Sequence, residues 1–234
     1  MGYAVNERFF HSWSKEMAYI LGFMYADGTI YISSRGKYSV VTSTDRMIIS
    51  AIKKHLDSTH KITRRELEYP RKPQFVLKIG NKNLYDSLTF RGLRPNKSLT
   101  ARLPIIPQKF LNNFLLGYFD GDGCVNLYRT KGARKKLIMR KLSVIFTSGS
   151  KAFLEDVIKV LRKSITLKQS IVYASHRSFQ LRFATFDSVT LFKFFYQNAP
   201  KDLLFRRKFK IFQKYFELRP QKIDSDIRKI IKKM

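Results

Sequence analysis

The sequence predicts a mixed α+β fold built from two pseudo-symmetric α-β-β-α-β-β-α repeats, each folding one antiparallel sheet. Three observations predict it. The segment I-L-G-F-M-Y-A-D-G-T at Ile20–Thr29 returns as L-L-G-Y-F-D-G-D-G-C at Leu115–Cys124. The same succession of apolar periodicities follows both copies. Between the halves lies A-R-L-P-I-I-P-Q-K, whose two prolines suit an extended connection. The expected organisation is a first repeat over 1–99, a linker over 100–109, a second repeat over 110–217 and a basic tail over 218–234 that adds a short helix or frays.

The elements follow in chain order. Ser14 stands where an N-cap belongs, and the helix after it puts Ile20, Met24 and Asp27 on one face. T-I-Y-I from Thr29 alternates as a short strand, and Y-S-V-V-T-S-T at Tyr38–Thr44 reads as an apolar strand. Ile48, Ile49, Ile52 and Leu56 recur at threes and fours, the stripe of a helix. Strands over 61–67 and 75–79 then lead to a helix over 82–90. In the second copy Pro107 suits a helix start, and Leu115, Phe119 and Asp122 share a face. C-V-N-L from Cys124 and the strand over 142–150 follow. Phe153, Leu154, Val157, Ile158 and Leu161 mark the next helix, then come strands over 165–174 and 179–184 and a helix over 187–197. This copy also carries R-T-K-G-A-R-K-K-L at Arg129–Leu137, expected as a basic hairpin tip. Duplication of a unit implies a pseudo-two-fold arrangement.

Charge narrows the partner. The 234 residues hold 46 Lys and Arg against 17 Asp and Glu, a net +29 that self-repels unless a polyanion answers it. Nucleic acid is the leading polyanion, because neutralised phosphates release condensed cations. An acidic membrane surface would want the basic groups lined along one amphipathic helix, and here they are dispersed among strands. No apolar run approaches the ~20 residues of a membrane span. The N-terminus lacks a signal-peptide core, and Asn6 stands where a myristoylation motif needs Ser or Thr. Cys124 is the single cysteine, expected as a small buried hydrophobe in a reducing compartment. The expectation is an intracellular protein, of a bacterium or an AT-rich organelle.

Both motif helices end in an aspartate. A carboxylate at a helix C-terminus is unfavourable by ~0.3–1 kcal/mol, and two brought together repel further. Asp-Gly as a plain helix stop, with Gly28 and Gly123 in the left-handed conformation, is the simpler account. Its repetition calls for a compensating cation, and hard oxygen ligands point to Mg²⁺, with Mn²⁺ or Ca²⁺ able to take its place. Gly22 with Ala26, and Gly117 with Gly121, form small-residue strips along which the two helices could approach closely. His11, His55, His60 and His176 show no metal-ligand spacing.

These two segments resemble the LAGLIDADG motif of homing endonucleases, and the repeated element order extends the resemblance to nearly the whole chain. It implies the single-chain, two-repeat form, acting as a monomer, with a saddle of antiparallel strands along the DNA major groove. The family's catalytic, metal-holding acid falls on Asp27 and Asp122. Its earlier acid falls on Asp120 and is replaced by Tyr25 in the first copy. The basic residues near the scissile phosphates fall on Lys97 and Lys208, with Arg207 as the alternative to Lys208. Thr42, Ser43, Ser148 and Ser150 are candidates for a water network.

The expected function is a site-specific intron-homing endonuclease that makes a metal-dependent double-strand break in a long, asymmetric DNA target. DNA contacts are expected from alternating strand residues: Tyr31, Ser33, Arg35, Lys37, Arg64, Lys78, Asn126, Tyr128, Arg129, Arg140, Arg177, Gln180 and Arg182. The same scaffold also serves as an RNA-splicing maturase, with intron RNA as partner, or as a non-catalytic DNA-binding protein. Retention of both aspartates argues for cleavage.

Overall fold

The computed structural model describes residues 2–131 and 137–234, and their side chains except at 131 and 137–140. The chain forms two compact units. One comprises Met1–Lys97, Pro104–Gly121 and Pro200–Leu204; the other comprises Ser98–Leu103, Asp122–Ala199 and Phe205–Met234.

The first unit runs α1 (Lys15–Asp27), β1 (Gly28–Ser33), β2 (Gly36–Ser43), α2 (Arg46–His55), β3 (Ile62–Arg65), β4 (Gln74–Gly80) and α3 (Lys82–Phe90), then takes in α4 (Leu111–Asp122) up to Gly121. Its antiparallel sheet has the order β1-β2-β4-β3. Side chains cap the helix starts: Ser14 Oγ accepts from Met17 N–H at 3.0 Å, and Asn81 Oδ1 from Leu84 N–H at 2.8 Å. Ile30, Val41, Leu77 and Ile79 turn to one face of the sheet, and with Ile49, Ile52, Leu84 and Leu88 of α2 and α3 they are buried.

Helices α1 and α4 are apolar almost all round and correspondingly buried. Glycine lets them meet. A Cβ on Gly22 would lie 2.0 Å from Phe114 O, and one on Gly117 would lie 2.0 Å from Tyr19 O. The small-residue strips therefore act as their spacing predicted.

The second unit repeats the order with β5 (Gly123–Lys131), β6 (Leu137–Ser148), α5 (Lys151–Ser164), β7 (Ile171–Ser175), β8 (Ser178–Phe183) and α6 (Thr185–Tyr196). It adds α7 (Arg206–Leu218) and α8 (Ser225–Lys233). Its sheet has the matching order β5-β6-β8-β7. Phe192 of α6 centres an aromatic cluster with Tyr196, Phe209, Phe212 and Phe216, ring centroids 4.9–5.8 Å away. Among the described residues there are eight α-helices, none long and apolar enough to cross a membrane. The tip of the expected basic hairpin, 132–136, lies outside the described residues.

Three expectations change. Helix α7 was unforeseen, although Phe209, Phe212, Tyr215 and Phe216 carry helical spacing and are buried. The strand expected over 165–174 is confined to Ile171–Ser175, because the buried carboxylate of Asp187 takes the N–H groups of Lys168 and Gln169 at 2.8 and 3.1 Å. Gly28 is extended (φ −95°, ψ 152°) rather than left-handed. Glycine is needed there because a Cβ would stand 2.5 Å from Met24 O.

Candidate functional site

Each motif helix delivers an aspartate at its C-terminal end and passes directly into the first strand of a sheet. Asp27 closes α1 ahead of β1, and Asp122 closes α4 ahead of β5. Asp27 is half-buried and Asp122 exposed. Neither helix has a basic residue in its last turn, so its own sequence leaves the negative end of the helix dipole uncompensated.

A lysine from elsewhere supplies the cation at both ends. In the first unit the ammonium of Lys97 donates to the carbonyl of Gly28, the residue after Asp27. In the second, Lys208 Nζ donates to Gly123 O at 2.6 Å, the residue after Asp122. Both lysines are buried, at 9% and 6% exposure, which few lysines tolerate without a partner. Lys97 is aimed by Asn96, whose φ of 53° turns the chain inward at the start of a short 3-10 turn, Lys97–Leu99. Lys208 comes from the first turn of α7, while its neighbour Arg207 is exposed. Of the two basic residues, Lys208 is the one that meets the helix end.

Within the first unit the Asp27 carboxylate lies against α4. A Cβ built on Gly121 would stand 2.3 Å from Ala26 Cβ and 3.3 Å from Asp27 Oδ2. Asp122 is the next residue along the helix. Asp120 faces elsewhere: it is fully buried and accepts from Tyr19 Oη at 2.6 Å. Tyr25, its counterpart in the first copy, donates to Arg91 O at 3.2 Å, and burial holds its phenol far above the ordinary tyrosine range. At each helix end the side-chain oxygens are those of one carboxylate, Asp27 in the first unit and Asp122 in the second. The thiol of Cys124 turns away and meets Asn126 Oδ1 at 3.2 Å. A carboxylate is a hard oxygen donor of the kind that suits Mg²⁺, Mn²⁺ or Ca²⁺.

The sheet faces opposite the buried ones carry the remaining candidates. In the first unit Tyr31 and Tyr38 pair across strands and stack at 5.2 Å, with Lys78 Nζ 4.4 Å from the Tyr38 ring. The Lys78 ammonium donates a hydrogen bond to the Tyr31 side chain, which raises the Lys78 pKa, so its charge is secure. In the second unit Asn126, Tyr128, Gln180 and Arg182 share the open face. Ser33 and Arg35 stand at the exposed β1–β2 turn, and Arg177 sits in the β7–β8 turn with φ 52°.

Several candidates sit elsewhere. Ser33 pairs with Gly36, so the two-residue turn between them shifts the alternation by one. Lys37 consequently points to the helix-covered face, where Nζ meets Asp86 Oδ1 at 2.5 Å. Arg64 pairs with Phe75 on that same side and meets Glu66 at 2.8 Å, leaving Thr63 and Arg65 on the open face. The β5–β6 register shifts between Tyr128, which pairs with Lys141, and Arg129, which pairs with Met139. The side chain of Arg140 lies outside the described residues. Lys141 pairs with Tyr128, and Tyr173 with Gln180, so both belong to the open face that sequence alternation did not assign them. Cys124 is exposed rather than buried, because it alternates outward with Asn126 while Val125 turns in. Ser43, Ser148 and Ser150 take part in turns and caps, where they accept from Asp45, Ser150 and Phe153 N–H groups.

Residues 109–180 match the family described as the LAGLIDADG-like domain. Three solved structures share the fold. The meganuclease I-AabMI, bound to uncleaved DNA, superposes with a TM-score of 0.59 at 15% identity, over 92% of this chain and 96% of that one. The homing endonuclease I-WcaI, bound to its DNA recognition sequence, gives 0.57 at 15%, over 86% and 88%. I-DmoI in complex with DNA and Ca gives 0.57 at 16%, over 85% and 97%. No curated protein matches the chain by sequence. The match to the LAGLIDADG-like domain is thus confined to residues 109–180, and the chain as a whole shares its fold with these LAGLIDADG endonuclease structures.

Proposed function

We propose that this protein is a site-specific DNA endonuclease of the homing type, cutting both strands of a long, asymmetric duplex site. One observation carries the reading. The helix end bearing Asp27 and the helix end bearing Asp122 are built alike, each with a buried lysine on the carbonyl of the following glycine. Repetition of so costly an arrangement is what cutting two strands would ask of two halves. The open sheet faces, with their tyrosines, lysine and arginine, support duplex binding, as does the net charge of +29.

In this reading Asp27 and Asp122 would each hold a divalent cation, against one scissile phosphate on each strand. Mg²⁺, or Mn²⁺ or Ca²⁺ in its place, supplies Lewis-acid polarisation of the phosphate and a lowered pKa for an attacking water. The chain does the rest by positioning. Lys97 and Lys208 fix the two helix ends and keep positive potential where phosphate charge develops. With the aspartates as ligands, the proton of the attacking water would pass along ordered water to solvent, while the P–O3′ bond breaks and the 3′ oxygen leaves as a hydroxyl beside a 5′-phosphate. One chain supplies both halves, so the enzyme acts as a monomer, and the unequal repeats read a partly palindromic target.

The test is selection of cleaved duplexes from a randomised pool with Mg²⁺, alongside Asp27→Asn and Asp122→Asn. Both variants should bind the selected duplex and fail to break both strands. Wild-type-rate cleavage of both strands by either variant removes that aspartate from the site. Binding without any cleavage by the wild type turns the reading to a non-catalytic DNA-binding protein.

A further inference from the structure

Gln180 and Arg182 stand two apart on β8, so both project from the open face of the second sheet. Oε1 of Gln180 accepts from Nε of Arg182 at 2.9 Å and from its Nη2 at 2.6 Å. The cross-strand neighbours of Arg182 are Ile145 and Ile171, which offer no carboxylate to compete for the guanidinium. Arg182 is exposed and borders a groove of about 520 Å³, lined also by Tyr128, Ser143, Ile171 and Tyr173.

This pairing decides which side chain can read a base. A guanidinium carries five N–H donors in a planar fork. The Gln180 contact occupies Nε–H and one hydrogen of Nη2, and leaves the outer edge formed by Nη1 and Nη2. Two parallel donors of that kind match O6 and N7 of guanine in the major groove. Glutamine reads adenine differently: its carbonyl must accept from N6 while its amide donates to N7. The carbonyl of Gln180 already accepts two hydrogen bonds, its full complement.

We propose that Arg182 is the guanine-reading residue of the second sheet, and that Gln180 is a positioning residue that aims it rather than an adenine reader. The inference rests on the DNA reading above and adds a base identity to it: one G·C pair in the target is held through Arg182, and no A·T pair through Gln180.

The experiment is a binding selection from randomised duplexes, run with wild type, Arg182→Ala, Gln180→Met and Gln180→Glu. Wild type should enrich one guanine position that Arg182→Ala relaxes by at least about fivefold, the remaining positions being kept. Gln180→Met, which has a similar length and lacks the carbonyl, should relax that same position. Gln180→Glu should restore it, because a carboxylate still accepts from the fork. Thermal melts check folding, and Arg182→Lys, which keeps charge and stem without the fork, replaces Arg182→Ala if that variant melts early. Gln180→Met relaxing a separate A·T position, or both Arg182 variants leaving every position unchanged, overturns the proposal while the DNA reading stands. Wild type enriching no duplex overturns the DNA reading itself, and the proposal with it.

Discussion

Alanine at Gly22 sets two opposed effects against each other. In an exposed helix, glycine to alanine stabilises by about 1 kcal/mol, because alanine has less backbone freedom to lose. Here the new Cβ would lie 2.0 Å from Phe114 O, 2.8 Å from the Phe114 carbonyl carbon and 3.0 Å from Tyr118 N, all backbone atoms of α4. Ordinary contact needs about 3.5 Å, so the two helices must part by about 1.5 Å. A gap of about 1 Å already forfeits up to half of each atomic well, and this interface is buried along its length. Overpacking of this kind costs about 3 kcal/mol, at the top of its usual range. The net expectation is a loss of about 2 kcal/mol once the helix-propensity gain is subtracted. Gly117→Ala, with its Cβ 2.0 Å from Tyr19 O, should match it. One separation relieves both clashes, so the double variant should cost less than the sum of the singles. Trp13, the single tryptophan, stacks 6.2 Å from Phe110 just ahead of α4, so its fluorescence in a urea titration follows this pair. A Gly22→Ala protein as stable as wild type, or strictly additive losses, would refute the close-packed interface.

Lys97→Met and Lys208→Met each strip the donor from a buried carbonyl and should lower unfolding free energy by about 1–3 kcal/mol in the same titration; unchanged midpoints would mean the ammoniums are not structural. Lys78→Ala should weaken duplex binding and reduce the log–log salt slope by about 1. Lys37→Ala, on the helix-covered face, should leave that slope alone, and a change there would overturn the face assignment. Burial of His60, with Lys53 adding to it, holds the imidazole pKa below its ordinary value, so the native state prefers the neutral ring. That contribution is complete above about pH 6.5 and is lost as pH falls from there toward the lowered native value, where the unfolded chain protonates first. His60→Gln should flatten this part of the stability–pH curve; an identical slope in wild type and variant would assign it to other groups.

Where the relevant physics is local, the sequence was enough. The helix over 82–90 begins and ends where its apolar spacing and Asn81 cap require, and the Ser14 cap and both glycine strips could be read directly. The place of the two aspartates at the ends of their helices was also legible, because the motif and its repeat set it. Side-chain facing was legible only as far as the first interruption. The Ser33–Gly36 turn moves the alternation by one residue, and Lys37 was misassigned on its far side. Parity within a strand follows from pleating, but parity between strands depends on which residues pair, and that is settled only when they meet. The same holds for the 165–170 segment, whose β propensity yields to a buried carboxylate 18–19 positions away. It holds again for Lys97 and Lys208: sequence could nominate them among many lysines, while only the folded chain shows both ammoniums buried against the carbonyls that follow Asp27 and Asp122. Periodicity and capping are short-range and therefore written in order along the chain; register and charge pairing join residues far apart in number, and folding alone decides them.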